Sequence, residues 1–189
     1  HGLYWKTNFY EGSARIPMIF SYKGHFQENF RLKTPIGLVD LAPTLLEIGG
    51  AKPLPDMDGM SILNNFKTGE EPLERPVVAF LEDNKGDNPS AMLRLGRYKL
   101  IMHYGYEIPQ MFDMEEDPEE EHDLGADSSY AETIRALQKE LLRWWSPEKA
   151  RKHWELAAQE YEILKEWVGW AGWEPLMEWP AEPGDNYIL

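Results

Sequence analysis

Between residues 76 and 114 the chain alternates short apolar runs with clusters of turn-forming residues, and this punctuation constrains its fold more than any other feature. The run 76–81 predicts a strand, and 92–103 and 110–114 predict an antiparallel pair. Between the first two lies Glu82-Asp-Asn-Lys-Gly-Asp-Asn-Pro89, a polar loop rich in turn residues. Upstream, Ile16-Pro-Met-Ile-Phe20 predicts a buried strand that stops at Ser21-Tyr-Lys-Gly24. Leu38-Val-Asp40 predicts a strand beside a short helix, as at the edge of an α/β sheet. Asp40 is placed to cap that helix, Pro43 is tolerated in its first turn, and Leu41, Leu45 and Ile48 are spaced to face a core. Gly49-Gly50 ends it.

After Asp127 the texture becomes helical. Ile134, Leu137, Leu141 and Trp145 fall on one face, with Asp127, Ser128 or Ser129 available as caps, and this helix is expected to pack on the sheet. Ser146-Pro147 starts a second helix, whose stripe of Trp154, Tyr161, Leu164 and Trp167 predicts core packing. Residues 169–184 combine three Trp, three Pro and three Gly, which suits contact rather than helix or strand. Two placements fit this tail: on a neighbouring subunit, making a homo-oligomer through the extension, or back over its own protein.

Composition sets outer limits. With 189 residues, 42% hydrophobic and 13% aromatic, the chain can bury one sizeable core, or a core plus an appendage. A net charge of −14 repels nucleic acid and anionic membrane, so neither is an expected partner. No apolar run reaches the roughly 18 residues of a membrane span. The absence of Cys removes disulfides without choosing a compartment, so localisation stays open between a soluble cytoplasmic and a periplasmic protein.

The first residues point to chemistry. Lys6 sits among Tyr4, Trp5, Phe9 and Tyr10, followed by Glu11, Gly12 and Arg15. An ammonium in a mostly aromatic, partly desolvated loop needs a negative partner, and a sulfate or phosphate ester is one candidate. The other is a plain ion pair with Glu11, the lysine stem lying on the rings.

Gly2-Leu-Tyr-Trp-Lys6 and Phe9-Tyr-Glu-Gly-Ser-Ala-Arg-Ile-Pro17 resemble a segment of the type I sulfatases, in the alkaline phosphatase superfamily. Leu38-Val-Asp-Leu-Ala-Pro-Thr-Leu-Leu-Glu-Ile-Gly49 is similar to that family's VDLxPTxLxxAG helix, and Met57-Asp-Gly-Met-Ser-Ile-Leu63 to its xDGxSLLP turn. Met92-Leu-Arg-Leu-Gly-Arg-Tyr-Lys-Leu-Ile101 and Gln110-Met-Phe-Asp-Met-Glu-Glu-Asp-Pro118 resemble the MxRxGRYKYI and xLYDLxxDPxE strands of its small C-terminal subdomain. The wording at Glu11-Gly-Ser-Ala-Arg15 and Met92-Leu-Arg94 looks most like choline-sulfatase-type enzymes. The resemblance implies an α/β fold class, here the C-terminal part of an alkaline-phosphatase-like fold. It divides the chain into residues 1–80 as the end of the catalytic domain, 81–145 as a small antiparallel-sheet subdomain, and 146–189 as a helical, Trp-rich extension.

It also implies hydrolysis of a small-molecule sulfate ester. Lys6 matches the family lysine that contacts the sulfate oxygens and the leaving-group oxygen, where a preorganised cation lowers the barrier. Glu82 stands at the strand end where choline-sulfatase-like enzymes are expected to help hold a quaternary ammonium; otherwise it is a solvated loop carboxylate beside Asp83 and Lys85. Such enzymes need a formylglycine made from a Cys or Ser in a Cys/Ser-x-Pro-x-Arg motif, and a divalent metal (Ca, Mg or Mn). This chain has no Cys and no Ser-x-Pro-x-Arg. Nucleophile and metal ligands are therefore expected upstream of His1, in the missing part of a longer enzyme, and the piece alone is expected to be inactive. His1 is read as a loop residue near the site, and His25, His103, His122 and His153 show no metal-ligand spacing. Asp40 and Asp113 are read as a helix cap and a strand-turn residue, and Arg15 and Arg94 as the residues that hold the Lys6 loop. Phosphonate monoester hydrolases and phosphodiesterases of the same superfamily, and a purely structural or oligomerisation module, are the alternatives.

Overall fold

The computed structural model describes residues 8–81 and 89–172. Its centre is a four-stranded antiparallel sheet in the order β1 (Val77–Leu81), β2 (Ser90–Leu95), β3 (Tyr98–His103), β4 (Gln110–Asp113). The apolar run 92–103, expected as one strand, is two. Leu95 pairs with Tyr98 across a two-residue turn, and Gly96 there takes φ 56°. A glycine with positive φ at the first central position is what a type II′ hairpin requires. Arg94 straps this turn from within β2, its guanidinium donating to the carbonyls of Gly96 and Tyr98. Arg97, in the turn itself, reaches β4 in a fork: Nε donates to Asp113 Oδ1 at 2.8 Å and Nη2 lies 2.5 Å from Oδ2.

Strand side chains alternate between the two faces. Ala91, Leu93, Leu100 and Met111 form one apolar face, and α4 (Ala131–Leu141) lays Ile134, Leu137 and Leu141 on it, followed by Trp145 and Ala150. This is the helix and the face that the 3.6-residue spacing predicts. Asp127 caps the 3₁₀ turn Ser128–Tyr130 that leads into α4, accepting the Ser129 N–H at 2.8 Å. Met92, Ile101 and Phe112 point to the opposite face, where Phe9 covers them just ahead of α1 (Glu11–Ala14).

Residues 15–75 carry α2 (Leu41–Ile48) and α3 (Leu63–Thr68) and correct several expectations. Ile16–Phe20 is not a strand, and Ile19 is 91% exposed. An extended apolar segment becomes a strand only beside a partner, and none of the four strands lies beside it. Leu38–Asp40 is a 3₁₀ turn, closed by Asp40 Oδ2 accepting the Gly37 N–H at 2.9 Å. Helix α2 buries Pro43 and Thr44 and leaves Leu45 exposed.

Contact density divides the chain into a unit of residues 1–151 and a second of 152–189. Helix α5 (Pro147–Ala171) starts in the first, with Pro147 at its first position and Arg151 over the Tyr104 ring at 5.9 Å. Within the second unit the described residues continue this helix. Tyr161, Leu164 and Trp167 are all more than half exposed, which corrects the expected core stripe: among the described residues of its unit this helix has no second element to bury it.

Burial also raises the Asp113 carboxyl, but hydrogen bonds from Arg97 and from the Glu115 and Glu116 N–H groups outweigh it and hold the carboxyl below its usual range. Two outcomes follow from this packing. Leu141→Ala should cost about 2–5 kcal/mol by urea denaturation, whereas Leu142→Ala, at a half-exposed neighbour, should stay within about 0.5 kcal/mol; equal losses would contradict the packing of α4. A carboxyl depressed in the folded state stabilises above its unfolded pKa, about 3.9, and loses that contribution as pH falls through the lower folded value. Urea midpoints should therefore fall below about pH 4, and Asp113→Asn should remove that share of the slope. An unchanged slope would mean that the Arg97 pair does not contribute.

Candidate functional site

On the sheet face turned away from α4, β2 and β3 set two cations directly opposite each other, Arg94 and Lys99. Like charges in register repel, and Lys99 is 1% exposed, so water cannot screen it. A lysine ammonium has three donors and no acceptor. All three are used: on the Phe9 carbonyl at 3.0 Å, Glu11 Oε1 at 2.5 Å and Glu120 Oε1 at 2.7 Å. The second oxygen of Glu120 accepts the Glu11 N–H at 2.6 Å. One ammonium and two carboxylates leave this cluster with a formal charge of −1, and both Arg15, 4.0 Å from Glu11, and Arg94 are cations that Glu11 faces. Burial pushes the Arg94 guanidinium below its usual value, opposed first by Glu11 and then by Glu115, Glu74 and Asp113.

Local structure presents each member. The Asp117 N–H bonds the Asp113 carbonyl at 2.7 Å, and the Asp117 carboxylate accepts the N–H groups of Glu121 and His122 at 3.0 and 2.8 Å. That turn delivers Glu120 at φ 59°, a left-handed conformation seldom taken by a non-glycine residue. From the other side, Asn8 Oδ1 accepts the Tyr10 N–H at 3.0 Å, Tyr10 meets Phe112 edge-on at 5.9 Å, and Gln110 Nε2 donates to the Tyr10 hydroxyl at 3.0 Å. The segment before α1 is thus fixed on the sheet by both ring packing and polar contacts.

A second buried carboxylate organises residues 37–75. Asp40 is fully buried, accepts the Gly37 and Met60 N–H groups at 2.9 Å each, and pairs with Arg75. Thr44 donates to the Asp40 carbonyl at 2.6 Å and accepts the Ile62 N–H at 3.1 Å. A Cβ at Gly59 would lie 2.0 Å from the Val39 carbonyl oxygen, so only glycine lets the 57–60 turn approach. Asp40 is therefore not the expected helix cap: its side chain makes no capping bond to α2, because it is consumed in tying two loops together.

The two candidate substrate-contacting residues, Lys6 and Glu82, lie outside the described residues, as does His1. Their chain neighbours Phe9 and Leu81 belong to one apolar cluster with Met92, Ile101 and Phe112. Of the two arginines expected to hold the Lys6 loop, Arg15 is exposed and 4.0 Å from Glu11, and Arg94 donates to carbonyls of the hairpin turn; among the described residues it is Lys99 that bonds Phe9 and Glu11. Lys99 and Glu120 were missed, although the readable signal was a lysine inside the apolar strand Tyr98-Lys-Leu-Ile101. His25 stacks on Tyr22, His103 Nδ1 lies 2.6 Å from the Ser90 hydroxyl across the β2–β3 ladder, and His122 is 3.7 Å from Asp117. Among the described residues no group of three or more His, Asp or Glu side chains could hold a metal ion. With its three donors taken, Lys99 anchors chain and is not available to a substrate anion.

Residues 1–146 match the family described as N-sulphoglucosamine sulphohydrolase, C-terminal. Arylsulfatase K of Bos taurus is 30% identical over 151 residues, 75% of this chain and 27% of the relative. The choline-sulfatase of Rhizobium meliloti is 28% identical over 192 residues, 100% of this chain and 35% of the relative. The chain thus spans roughly a third or less of the length of these curated relatives. The solved structure of yidJ from Bacteroides fragilis superposes with a TM-score of 0.61 at 26% identity, covering 72% of this chain and 30% of that one. With that family match extending over its sheet, its buried Lys99 cluster and α4, the chain belongs to the C-terminal domain family of the sulfatases.

Proposed function

We propose that this chain is the C-terminal part of an enzyme that hydrolyses small sulfate esters, with Lys6 stabilising charge on the sulfate and leaving-group oxygens. The observation that carries the reading is the family match over residues 1–146, which contains Lys6. Residues 1–80 are the end of the catalytic domain, 81–145 a small subdomain, and 146–189 an extension. The surface of residues 16–73 supports this division. Ile16, Ile19, Leu38, Val39, Leu45 and Leu73 are all exposed there, apolar side chains that the rest of a catalytic domain would cover in this reading. Formylglycine and a divalent metal, as sulfatases generally use, would be supplied by residues outside this chain. The piece alone is therefore inactive in this reading.

Choline sulfate is the proposed substrate. The choline-sulfatase relative aligns over the whole chain, and Glu82 directly follows Leu81 at the end of β1. A carboxylate there suits a quaternary ammonium, which offers no hydrogen bond and is held by charge and aromatic faces. In the full-length enzyme, Lys6→Ala should lower kcat about 10²–10³-fold on both choline sulfate and 4-nitrophenyl sulfate, without moving the urea midpoint. Glu82→Gln should raise KM for choline sulfate alone. Equal loss of turnover and stability in Lys6→Ala would contradict its role, and faster hydrolysis of a phosphonate monoester would move the enzyme to the phosphonate hydrolases.

The tail of the extension, residues 169–189, is proposed to join subunits. The exposed Trp170, with Tyr161, Leu164 and Trp167 of α5 leading to it, supports this, because contact surfaces concentrate such residues. Truncation after Val168 should lower the mass measured by light scattering. An unchanged oligomer would rule residues 169–189 out as the joint.

A further inference from the structure

Lys6 precedes Phe9 by three residues, at most roughly 10 Å of extended chain, so whatever fixes Phe9 constrains where the lysine can lie. We infer that Lys99, Glu120 and Glu11 form a positioning cluster that sets the register of residues 9–11 against the sheet and thereby acts on Lys6 through the short connection, an inference that rests on the role proposed above for Lys6.

The grip is directional. Lys99 bonds the Phe9 carbonyl and the Glu11 carboxylate, and Glu120 takes the Glu11 N–H. Three atoms on two residues, two positions apart, define both the location and the heading of the chain. The burial of the Phe9 ring alone would not, because apolar contact is non-directional. Glu120 is held in a left-handed backbone conformation that disfavours non-glycine residues, and there one carboxylate joins the ammonium to the segment it holds. Lys99 and Glu120 are both almost inaccessible to solvent, so ordinary surface pairing does not explain them. A buried ion pair with a partly buried third charge is also a poor source of net stability compared with packed apolar side chains. What it does supply is a fixed set of partner atoms, and two of the three Lys99 bonds are spent on residues 9 and 11.

The test uses the full-length enzyme with 4-nitrophenyl sulfate. Lys99→Met leaves the buried Glu120 carboxylate without its cation and beside Glu11, and can fail to fold, so Glu11→Ala is the primary variant; it keeps the Lys99–Glu120 pair and the Phe9 bond. Glu11→Ala should lower kcat about 10–100-fold, with KM changing less than about threefold, and Glu11→Gln, which keeps an acceptor oxygen, should recover part of the loss. Hydrogen exchange in residues 8–14 should quicken while β2 and β3 stay protected. In a Lys6→Ala background, Glu11→Ala should have no further effect on kcat, since the cluster acts through that lysine. The same loss in both backgrounds would overturn the positioning role, as would full turnover in Glu11→Ala. If Lys6→Ala alone turns over normally, the role of Lys6 fails and the positioning role falls with it. If Lys6→Ala is slow and Glu11→Ala is not, Lys6 keeps its role and the cluster loses its own.

Discussion

The buried ammonium of Lys99 is the constraint around which this sheet is built. Removing an ammonium from water is costly unless every donor finds an acceptor and a counter-charge lies close. Position 99 is the second residue of β3, paired with Arg94 on one side and Phe112 on the other, and neither can serve. The acceptors therefore come from far along the chain: Phe9 and Glu11 lie 90 and 88 residues away, Glu120 21 residues away. Satisfying one side chain joins the start of the chain, the central hairpin and the turn after β4. Loss of any one partner leaves a donor of the buried ammonium without an acceptor, so the three pieces are coupled more tightly than their apolar contacts alone would make them.

The two faces of the sheet illustrate different physics. Toward α4 the contacts are apolar and follow from periodicity: strand residues two apart meet helix residues three and four apart, and fully burying each leucine contributes roughly 1.5–3 kcal/mol. The opposite face has fewer apolar residues and is covered by a short segment rather than a long helix. There the specificity comes from hydrogen bonds, as it does again at Asp40, where one carboxylate gathers Gly37, Met60 and Arg75. Both polar knots lie where irregular chain, not a helix or strand, must be held in one conformation. Turns and loops have no repeating ladder to satisfy their N–H groups, and a buried carboxylate with two acceptor oxygens meets that need.

This contrast explains what was legible in the sequence. The α4 stripe of Ile134, Leu137 and Leu141, its Asp127 cap and the strands at 76–81 and 110–114 were readable because each depends on local spacing. The split of 92–103 was not seen, since Gly96 interrupts the apolar pattern for only two residues. Ile16–Phe20 and Leu38–Asp40 misled for the opposite reason: their composition suits strands, yet pairing depends on a neighbour that composition does not reveal. The motifs that identify the family contained Lys99 and Asp117-Pro118, but a motif does not say which distant residue an ammonium will meet. Lys6 stands out by its aromatic setting and Glu82 by its place at the end of an expected strand, while the roles expected of them come from resemblance; the described chain near them, Phe9 and Leu81, belongs to one cluster.

An apolar residue at position 99 would pack this face at least as well in terms of net stability, so the value of the lysine is in what it excludes. A one-residue slip of β3 would send every one of its side chains to the other face, driving the ammonium among Leu93, Met111 and Leu137, where no acceptor waits. A slip of the 8–14 segment would leave Lys99 with the wrong backbone atoms and strand Glu120. Apolar packing tolerates such shifts at modest cost, whereas a saturated buried ammonium does not. The cluster therefore converts a permissive hydrophobic contact into a single allowed register, which is the property required of a surface that holds an irregular chain segment in place.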